Sequence, residues 1–407
     1  MAITQHIPKH ALSALLCGAF SIVAGPLAAT PSFAADPADA LNSAGISGVF
    51  DAGWSTAYYP QDSITHMHQR LHALGMDEIV LQYAAVEATH LYYPSELDFL
   101  QNTQYRNNEL FPKSIEAAKT AGTKIWLGLY YNGENWYTPP TAEQLDTLSA
   151  RNLKVLEEIH ALYGSETVVE GVYIPQEIAR YYWDGLRNDA TPEMLTEHFL
   201  KPITEAAQAK GWKVMAAPFY NQNLEKPEKL QAFFEQLFAA GFKPDIIAVQ
   251  DGVGASDAGK HHAETSNVAQ YERAVAQACK QYGIDFWVDM ELFRTDDSHA
   301  LADSARISAQ LDSAYAAGAL KVIGYDLAVL GNAGLDSLEK WKLESSVEPP
   351  TGIATPRENR ESRRASHARN EKSQKRELFL NGRLQNSRSL NENSQYFKAN
   401  GAKVKQN

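Results

Sequence analysis

Several signatures of common protein classes are missing from this 407-residue chain. It contains two cysteines, Cys17 and Cys279. Because Cys17 falls within a predicted leader, one thiol remains and an internal disulfide is excluded. The sequence has no G-x-G-x-x-G turn and no G-x-S-x-G motif, so it lacks the usual signals of a dinucleotide-binding sheet and of a serine hydrolase. Stability must therefore come from a hydrophobic core.

Metal and membrane signals are also sparse. His261 and His262 precede Glu264, but their spacing matches no standard zinc signature, so neither a metal nor another cofactor is expected. Beyond the N-terminal region, no apolar run reaches the ~20 residues that a membrane helix requires. The mature chain is therefore predicted to contain no integral membrane segment.

The N-terminal residues have the pattern of an export signal. Lys9 precedes an apolar run over 11–29, which is followed by the small-x-small tripeptide Ser-Phe-Ala at 32–34. This pattern predicts a cleaved signal peptide over 1–34, a short linker over 35–44, and a periplasmic or extracellular protein. A retained membrane anchor is the alternative interpretation.

The charge of the chain is unevenly distributed. The formal net charge is −12, but after residue 350 there are thirteen Lys and Arg against five Asp and Glu, a net of +8. The first 350 residues therefore carry 24 basic and 44 acidic side chains, a net of −20. So acidic a surface argues against nucleic acid or anionic membrane as a partner, and favours neutral or cationic ligands.

β-rich runs alternate with helical stretches throughout the middle of the chain. The predicted strands are 48–55, 78–87, 124–132, 169–178, 213–221, 246–254, 285–293 and 320–329. Most helical stretches between them stop at a glycine, as at Gly122 and Gly241. Eight such units predict an α/β fold, a single (β/α)8 TIM barrel over 45–347, in preference to an open doubly wound sheet. The basic, low-complexity tail over 348–407 is predicted to be disordered.

Polar and aromatic side chains collect where these predicted strands end. Active sites of such barrels lie at the carboxyl ends of the strands. Aromatic rings stack on sugar C–H faces, while carboxylates and amides bind hydroxyls. The mixture therefore predicts a carbohydrate site with these substrate-binding residues: Asp51, Trp54, Gln82, Tyr83, Glu87, Tyr131, Asn132, Trp136, Gln176, Tyr220, Asn221, Gln250, Asp251 and Tyr325.

Two glutamates stand out among these strand ends. Glu177 lies at the end of the fourth predicted strand and Glu291 at the end of the seventh. Hydrolysis of a glycosidic bond needs one protonated carboxyl and one ionised carboxyl on opposite sides of the bond. We therefore predict that Glu177 and Glu291 are the catalytic pair. The structural alternative is that each glutamate forms an ion pair with the arginine three residues later, Glu177 with Arg180 and Glu291 with Arg294.

Four segments carry a resemblance to a known family: GVYIPQEI (171–178), PFYN (218–221), VQDGVG (249–254) and WVDMELF (287–293). They are similar to a family of secreted bacterial proteins catalogued as a domain of unknown function and described as glycoside-hydrolase-like TIM barrels. The wider resemblance is to the glycosidase clan with catalytic glutamates after strands four and seven. It implies that Glu177 is the acid/base and Glu291 the nucleophile. Gln176 departs from that clan, which usually has Asn before the first glutamate.

The sequence thus predicts an exported glycoside hydrolase that cleaves an oligosaccharide or polysaccharide, with retention of configuration. Two other functions fit the same residues. One is a non-catalytic carbohydrate-binding barrel. The other is a scaffold for envelope or exopolysaccharide assembly that is tethered by its basic tail.

Overall fold

The computed structural model describes residues 45–133, 136, 139–185, 190–257, 260–294 and 300–346. The predicted signal peptide (1–34), linker (35–44) and basic tail (348–407) lie outside the described residues, and their boundaries stay predictions.

Eight parallel strands form a closed barrel in which each strand is hydrogen-bonded to its neighbours in sequence, with β1 pairing β8. They are β1 Gly48–Asp51, β2 Glu78–Leu81, β3 Lys124–Gly128, β4 Val169–Ile174, β5 Lys213–Ala216, β6 Ile246–Gln250, β7 Asp285–Glu291 and β8 Val322–Tyr325. The predicted (β/α)8 TIM barrel is confirmed.

Helices follow the strands on the outside of the barrel. They are α1 Gln61–Ala73, α2 Leu110–Ala121, α3 Ala142–Tyr163, α4 Pro192–Leu195, α5 Lys201–Ala209, α6 Pro227–Ala240, α7 Val268–Tyr282, α8 Ser304–Ala317 and α9 Leu327–Ser346, with a π-helical turn over Thr196–Leu200. Thr141 begins α3 with a complete capping box, and Gly122 and Gly241 end α2 and α6 in left-handed conformations. No helix in the described ranges is both long and apolar enough to cross a bilayer.

The carboxyl ends of the predicted strands differ from the structure. The second predicted strand, 78–87, ends at Leu81 and resumes as a separate short strand, Ala85–Val86. Residues 327–329, predicted as the end of strand eight, instead begin α9. The prediction was wrong there because a short apolar run has no periodicity that distinguishes a strand from a buried helix.

Alternation along the strands divides the core into two parts. Inward positions carry a cluster of Phe50, Val80, Trp126, Tyr173, Met215, Ala217, Ile246, Ala248, Trp287 and Ile323, with Tyr325 packed on it. Outward positions such as Val172 and Val288 belong to the larger cluster beneath the helices. The inward cluster fills the barrel, so the space available to a ligand lies above it, at the carboxyl ends of the strands.

A small second sheet joins the loops that follow β2 and β3. Ala85–Val86 pairs in parallel with Tyr130–Tyr131 and antiparallel with His90–Leu91, which also pairs with Tyr105–Arg106. Trp54 from the β1 loop packs against this region, with its ring centroid 4.8 Å from that of His90. One side of the barrel mouth is therefore built from hydrogen-bonded, aromatic-rich loops.

The solvent exposure of the α1 histidines agrees only in part with the sequence-based prediction. The pattern predicts that His66, His68 and His72 of α1 are solvated, and His66 and His72 are indeed exposed. His68 is 1% exposed, its Nδ1 lies 2.9 Å from the Thr123 hydroxyl, and burial lowers its pKa to about 4. The prediction for His68 was wrong because this position faces the barrel. Cys279 is buried in α7, as its helical position predicts.

Candidate active site

Glu177 lies three residues beyond the end of β4, in a segment that is anchored on both sides. The Trp136 indole N–H donates to the Glu177 carbonyl at 2.6 Å, and the Gln176 side-chain amide donates to the Tyr130 carbonyl at 2.8 Å. On the β5 side, the Phe219 amide donates to the Ile178 carbonyl at 3.0 Å. These bonds fix the backbone from which the half-buried Glu177 side chain projects.

The surroundings of Glu177 show that it belongs to the barrel mouth. Its charge contributes to raising the pKa of Tyr173, Tyr325 and Asp289, although burial is the largest cause for each. The structural alternative would pair Glu177 with Arg180. The Arg180 guanidinium lies 2.7 Å from the Glu225 carboxylate and 3.8 Å from the Asp184 carboxylate. Arg180 is therefore paired with these two carboxylates.

Glu291 ends β7 on the same inward face as Trp287 and pairs in register with Tyr325 of β8. It is 6% exposed, and its carboxylate accepts the Ala255 amide at 2.6 Å and a second backbone bond from Gly254. A Cβ at Gly254 would lie 3.0 Å from the Glu291 Cβ, so glycine permits this close approach of the β6 loop. Burial and then the charge of Asp251 raise the pKa of Glu291, while the backbone bonds and Arg306 oppose that shift.

Asp251 supports Glu291 from behind. It is 0% exposed, and its Oδ1 accepts the backbone amides of Glu291 and Val253, each at 3.2 Å. Its Oδ2 accepts the Gln310 amide of α8 at 2.6 Å. Arg306 donates to the Glu291 carbonyl at 2.8 Å. In this arrangement Asp251 acts on the position and protonation of Glu291, and a direct contact with a ligand stays a prediction.

Asp289 lies among the polar residues at the predicted strand ends but was not among the predicted site residues. It lies two residues before Glu291 on the inward face of β7, is 2% exposed, and pairs in register with Gln250 of β6. Burial raises its pKa well above the usual range, followed by the charges of Glu291, Asp251, Glu177 and Asp326. The alternation of β7 could have revealed it, since Trp287, Asp289 and Glu291 share one face.

Several predicted aromatic contacts are deeply buried. Trp136 is 1% exposed, with its ring centroid 5.4 Å from that of Trp183. Tyr220 is 0% exposed, stacks on Tyr271 at 4.5 Å, and donates its hydroxyl to the Asp251 carbonyl. These rings stabilise the loops around the mouth, whereas Trp54 is only half-buried. Their predicted contacts with sugar are not tested by the structure.

The remaining predicted residues divide between the mouth and its support. Gln82 accepts the Tyr325 hydroxyl at 3.3 Å, which places both at the top of the inward cluster, and the Gln250 amide donates to the Ala217 carbonyl. Glu87 has a left-handed φ of 46° and accepts the Gly133 amide, a strained geometry that often accompanies function. The other predicted residues lie around the rim or within its loops. Asp51 accepts hydrogen bonds from the Gly53 amide and the Thr56 hydroxyl, and Asn221 accepts the Asn223 amide. Tyr83 and Tyr131 are buried with ring centroids 5.4 Å apart, and Asn132 is half-buried.

A buried glutamate behind the site makes a testable contribution to stability. Glu272 of α7 is 0% exposed, and neither carboxyl oxygen has a hydrogen-bond partner among the described residues. Burial and the charge of Asp251 raise its pKa well above 4.5. The folded state therefore holds this proton more tightly than the unfolded state, so stability is greatest below the unfolded pKa and falls as the pH rises above it.

We expect Glu272→Gln to increase the free energy of unfolding at pH 8 by about 1–3 kcal/mol, because it removes an unsatisfied buried carboxylate. At pH 4 the two proteins should unfold alike. Thermal unfolding at both pH values measures the difference, and Glu116→Gln, on the exposed face of α2, is the matched control. An equal gain at both pH values would contradict the electrostatic explanation.

Solved structures resemble this chain to different degrees. A candidate α-L-fucosidase of Bacteroides thetaiotaomicron VPI-5482 superposes with a TM-score of 0.60 at 18% identity, over 80% of this chain and 98% of that one. An endocellulase of Pyrococcus horikoshii has a TM-score of 0.46 at 13% identity, over 69% and 84% of the two chains. An endo-1,4-β-mannanase of Rhizomucor miehei has a TM-score of 0.45 at 13% identity, over 72% and 95%. At 18% identity, the likeness to the first of these structures shows the fold alone.

No curated protein matches this sequence. Residues 46–332, which span the described barrel from β1 into α9, match the family described as "Domain of unknown function (DUF4434)". This match confirms the predicted resemblance to a domain-of-unknown-function family of TIM barrels. The chain is a member of the DUF4434 family.

Proposed function

We propose that this protein is an exported glycoside hydrolase that cleaves an oligosaccharide or polysaccharide. The observation that carries the proposal is the convergence of carboxyl groups at the barrel mouth. Glu177 comes from β4, Asp289 and Glu291 come from β7, and the Tyr173 and Tyr325 rings lie beneath them. A pair of carboxyl groups that flank the bond is the arrangement that glycosidic cleavage uses.

The roles are those that the resemblance to the glycosidase clan implies. Glu177 is half-buried and is proposed to protonate the leaving oxygen, then to activate water in the second step. Glu291 is proposed to attack the anomeric carbon. It must be ionised to do so, and the amides of Ala255 and Gly254 favour the ionised form. A nucleophile on β7 and an acid/base on β4 correspond to a double displacement with retention.

Two cavities lie among the loops that follow the strands, and neither is lined by Glu177 or Glu291. One of 350 Å³ lies between the β6 and β7 loops and is lined by residues that include Val253, Arg294 and Arg306. Another of 300 Å³ lies along the β3 loop, beside Asn132, Trp136 and Arg151. Sugar units that flank the cleaved bond could bind there.

The experiment is a glycan panel incubated with the purified mature protein. We expect new reducing ends from at least one glycan, and the first-formed anomer, followed by NMR, should have the configuration of the substrate. A first-formed anomer of inverted configuration would contradict the double-displacement mechanism. The absence of new reducing ends from every glycan would remove the hydrolase proposal.

One observation favours a second function, a non-catalytic carbohydrate-binding barrel. Burial raises the pKa values of Glu291 and Asp289 together, which disfavours an ionised nucleophile on β7. Such a protein would bind a glycan of the same panel with a measurable Kd and release no reducing ends.

Export is supported by the leader pattern over 1–34. N-terminal sequencing of the secreted or periplasmic protein should begin near Ala35. An intact N-terminus in a cytoplasmic fraction would contradict export.

A further inference from the structure

The 300 Å³ cavity along the β3 loop combines apolar and polar side chains. Its apolar lining consists of three buried residues, Trp136, Pro140 and Leu148. Its polar lining includes an amide, a hydroxyl and a guanidinium on one side of α3, those of Gln144, Thr147 and Arg151. An aromatic ring beside hydrogen-bonding groups suits a sugar unit, whose C–H faces are apolar and whose hydroxyls are polar.

This cavity adjoins the segment that carries Glu177. The Trp136 indole lines the cavity, and its N–H donates to the Glu177 carbonyl at 2.6 Å. Asn132, which also lines the cavity, directly follows the short strand Tyr130–Tyr131 at the barrel mouth. A ligand in this cavity would therefore contact the same indole that anchors the Glu177 backbone.

The positive charge of the cavity comes from Arg151, whose guanidinium lies against two aromatic rings. Its Cζ lies 5.6 Å from the Phe99 ring centroid and 6.0 Å from that of Tyr130, the range of cation–π contacts. Its Nη1 lies 3.5 Å from the Tyr130 hydroxyl, which is too far for a strong hydrogen bond. The rings thus orient the guanidinium and leave its N–H groups without a strong acceptor among the described residues.

Within the part of the chain that the structure describes, Arg151 forms no ion pair with a carboxylate; its polar contacts are those with Phe99 and Tyr130. Residues three and four positions away on a helix are neighbours, and on α3 none of them is acidic: Thr147, Leu148, Lys154 and Val155. Glu143 also lines the cavity, but it is exposed and lies eight residues before Arg151, about 12 Å along the helix axis. Arg151 therefore keeps its charge for a ligand.

The acidity of the whole chain does not set the charge of a ligand at this cavity. Exposed charges more than about 10 Å apart are largely screened at 0.1 M salt, so the groups within the cavity matter most. Arg70 and Arg180 are each paired with two carboxylates. Arg151 differs from them because a cavity, and not a carboxylate, lies beside it.

We propose that this cavity binds an acidic sugar unit, a uronic acid or a sulfated sugar, with Arg151 as the contact for the carboxylate or sulfate. The proposal rests on the proposed function in that the ligand is a carbohydrate, and it adds the class of glycan. A planar guanidinium presents two parallel N–H donors to two oxygens of one anionic group, and such charge-assisted bonds are about twice as strong as neutral ones. An acidic ligand departs from the neutral or cationic one that the net charge predicts.

Binding of matched trisaccharides to the purified mature protein tests the proposal. Trisaccharides of galacturonic, mannuronic and glucuronic acid are each compared with their carboxyl-reduced forms, and with those reduced forms after sulfation, by calorimetric titration at pH 7. We expect at least one carboxylated or sulfated form to bind about tenfold or more tightly than its neutral form. Whether the carboxylated or the sulfated form binds more tightly identifies the anionic group. Equal affinities within every set, or no binding by any acidic form, would overturn the proposal.

Two variants separate the cavity from the basic tail over 348–407, which also attracts anions. Arg151→Met keeps an unbranched apolar stem and removes the charge, so we expect its acidic and neutral ligands to bind almost equally. Arg273→Met removes an arginine from the exposed face of α7 and should keep the preference. A full preference in Arg151→Met would overturn the assignment to Arg151.

A third variant covers the case in which Arg151→Met does not fold. Arg151→Lys keeps the charge without the planar fork, so the preference for the acidic form should fall severalfold. An unchanged preference in Arg151→Lys would again overturn the assignment.

The outcomes separate this inference from the proposed function. Selective binding of an acidic trisaccharide without hydrolysis of any glycan would refute the hydrolase and keep the acidic-sugar site. Hydrolysis of a neutral glycan without preference for an acidic form would do the reverse.

Discussion

Replacing Glu177 by Gln is expected to lower the turnover of a responsive glycan by about 10²–10⁴-fold, the usual contribution of a general acid/base. Gln keeps the shape of the side chain but cannot deliver a proton to the leaving oxygen. The Trp136 indole and the Phe219 amide donate to the main-chain carbonyls of residues 177 and 178, so these hydrogen bonds survive the substitution. The melting temperature should therefore stay close to that of the wild type. Initial rates of reducing-end release measure the effect.

The matched control for this variant is Glu170→Gln. Glu170 lies in the same strand but at its amino end, where it contacts Lys124 and Lys213. Active sites of TIM barrels lie at the opposite end, so turnover by this control should equal that of the wild type. If Glu177→Gln were as active as Glu170→Gln, Glu177 would not be the acid/base.

The second large effect is expected from Gly171→Ala in β4. Gly171 pairs in register with Lys213 of β5, next to a register shift in the pairing of β3 with β4. A Cβ at this position would overlap the backbone carbonyl of Lys213, which cannot move as a side chain can. The strands would have to separate, so we expect a loss of about 3 kcal/mol or more in the free energy of unfolding, or a failure to fold.

Gly211→Ala is the control for the glycine substitution itself. Gly211 has a left-handed φ of 81°, but a Cβ there would meet nothing within 4 Å. Its replacement should cost about 1–2 kcal/mol from backbone strain alone. Chemical denaturation of both variants compares the two costs. A smaller loss in Gly171→Ala than in Gly211→Ala would show that the barrel relaxes around the added methyl group.

The sequence predicted the barrel more accurately than the rim. Seven of the eight predicted strands begin at the observed residue, because a glycine stop followed by a β-branched run marks that point clearly. Their carboxyl ends were predicted too long. There the chain leaves the barrel to form the small sheet at Ala85–Val86, and tertiary pairing of this kind leaves no local signal.

In the candidate site, too, the residues on barrel strands were easier to predict than the residues that support them. Glu177 and Glu291 could be proposed from strand order, since position along a strand fixes the end of the barrel on which a side chain lies. The support from Gln310 and Arg306 of α8 could not, because these residues are about 15–20 positions from Glu291 and nothing in their spacing links them to it. Asp289 was given no role in the predicted site because the argument for a catalytic carboxyl on this strand was applied to Glu291, two residues later.

The small sheet at the barrel mouth has a consequence for how sites of this family can change. Its strands bind the loop after β2 to the loop after β3 through backbone hydrogen bonds, as at Ala84 with Leu129 and Glu87 with Tyr131. An insertion in one of these loops would break its hydrogen-bonded register with the other, so we expect the two loops to change together. Transfer of ligand specificity between relatives by loop grafting should therefore succeed only when both segments, 82–106 and 129–133, are moved together.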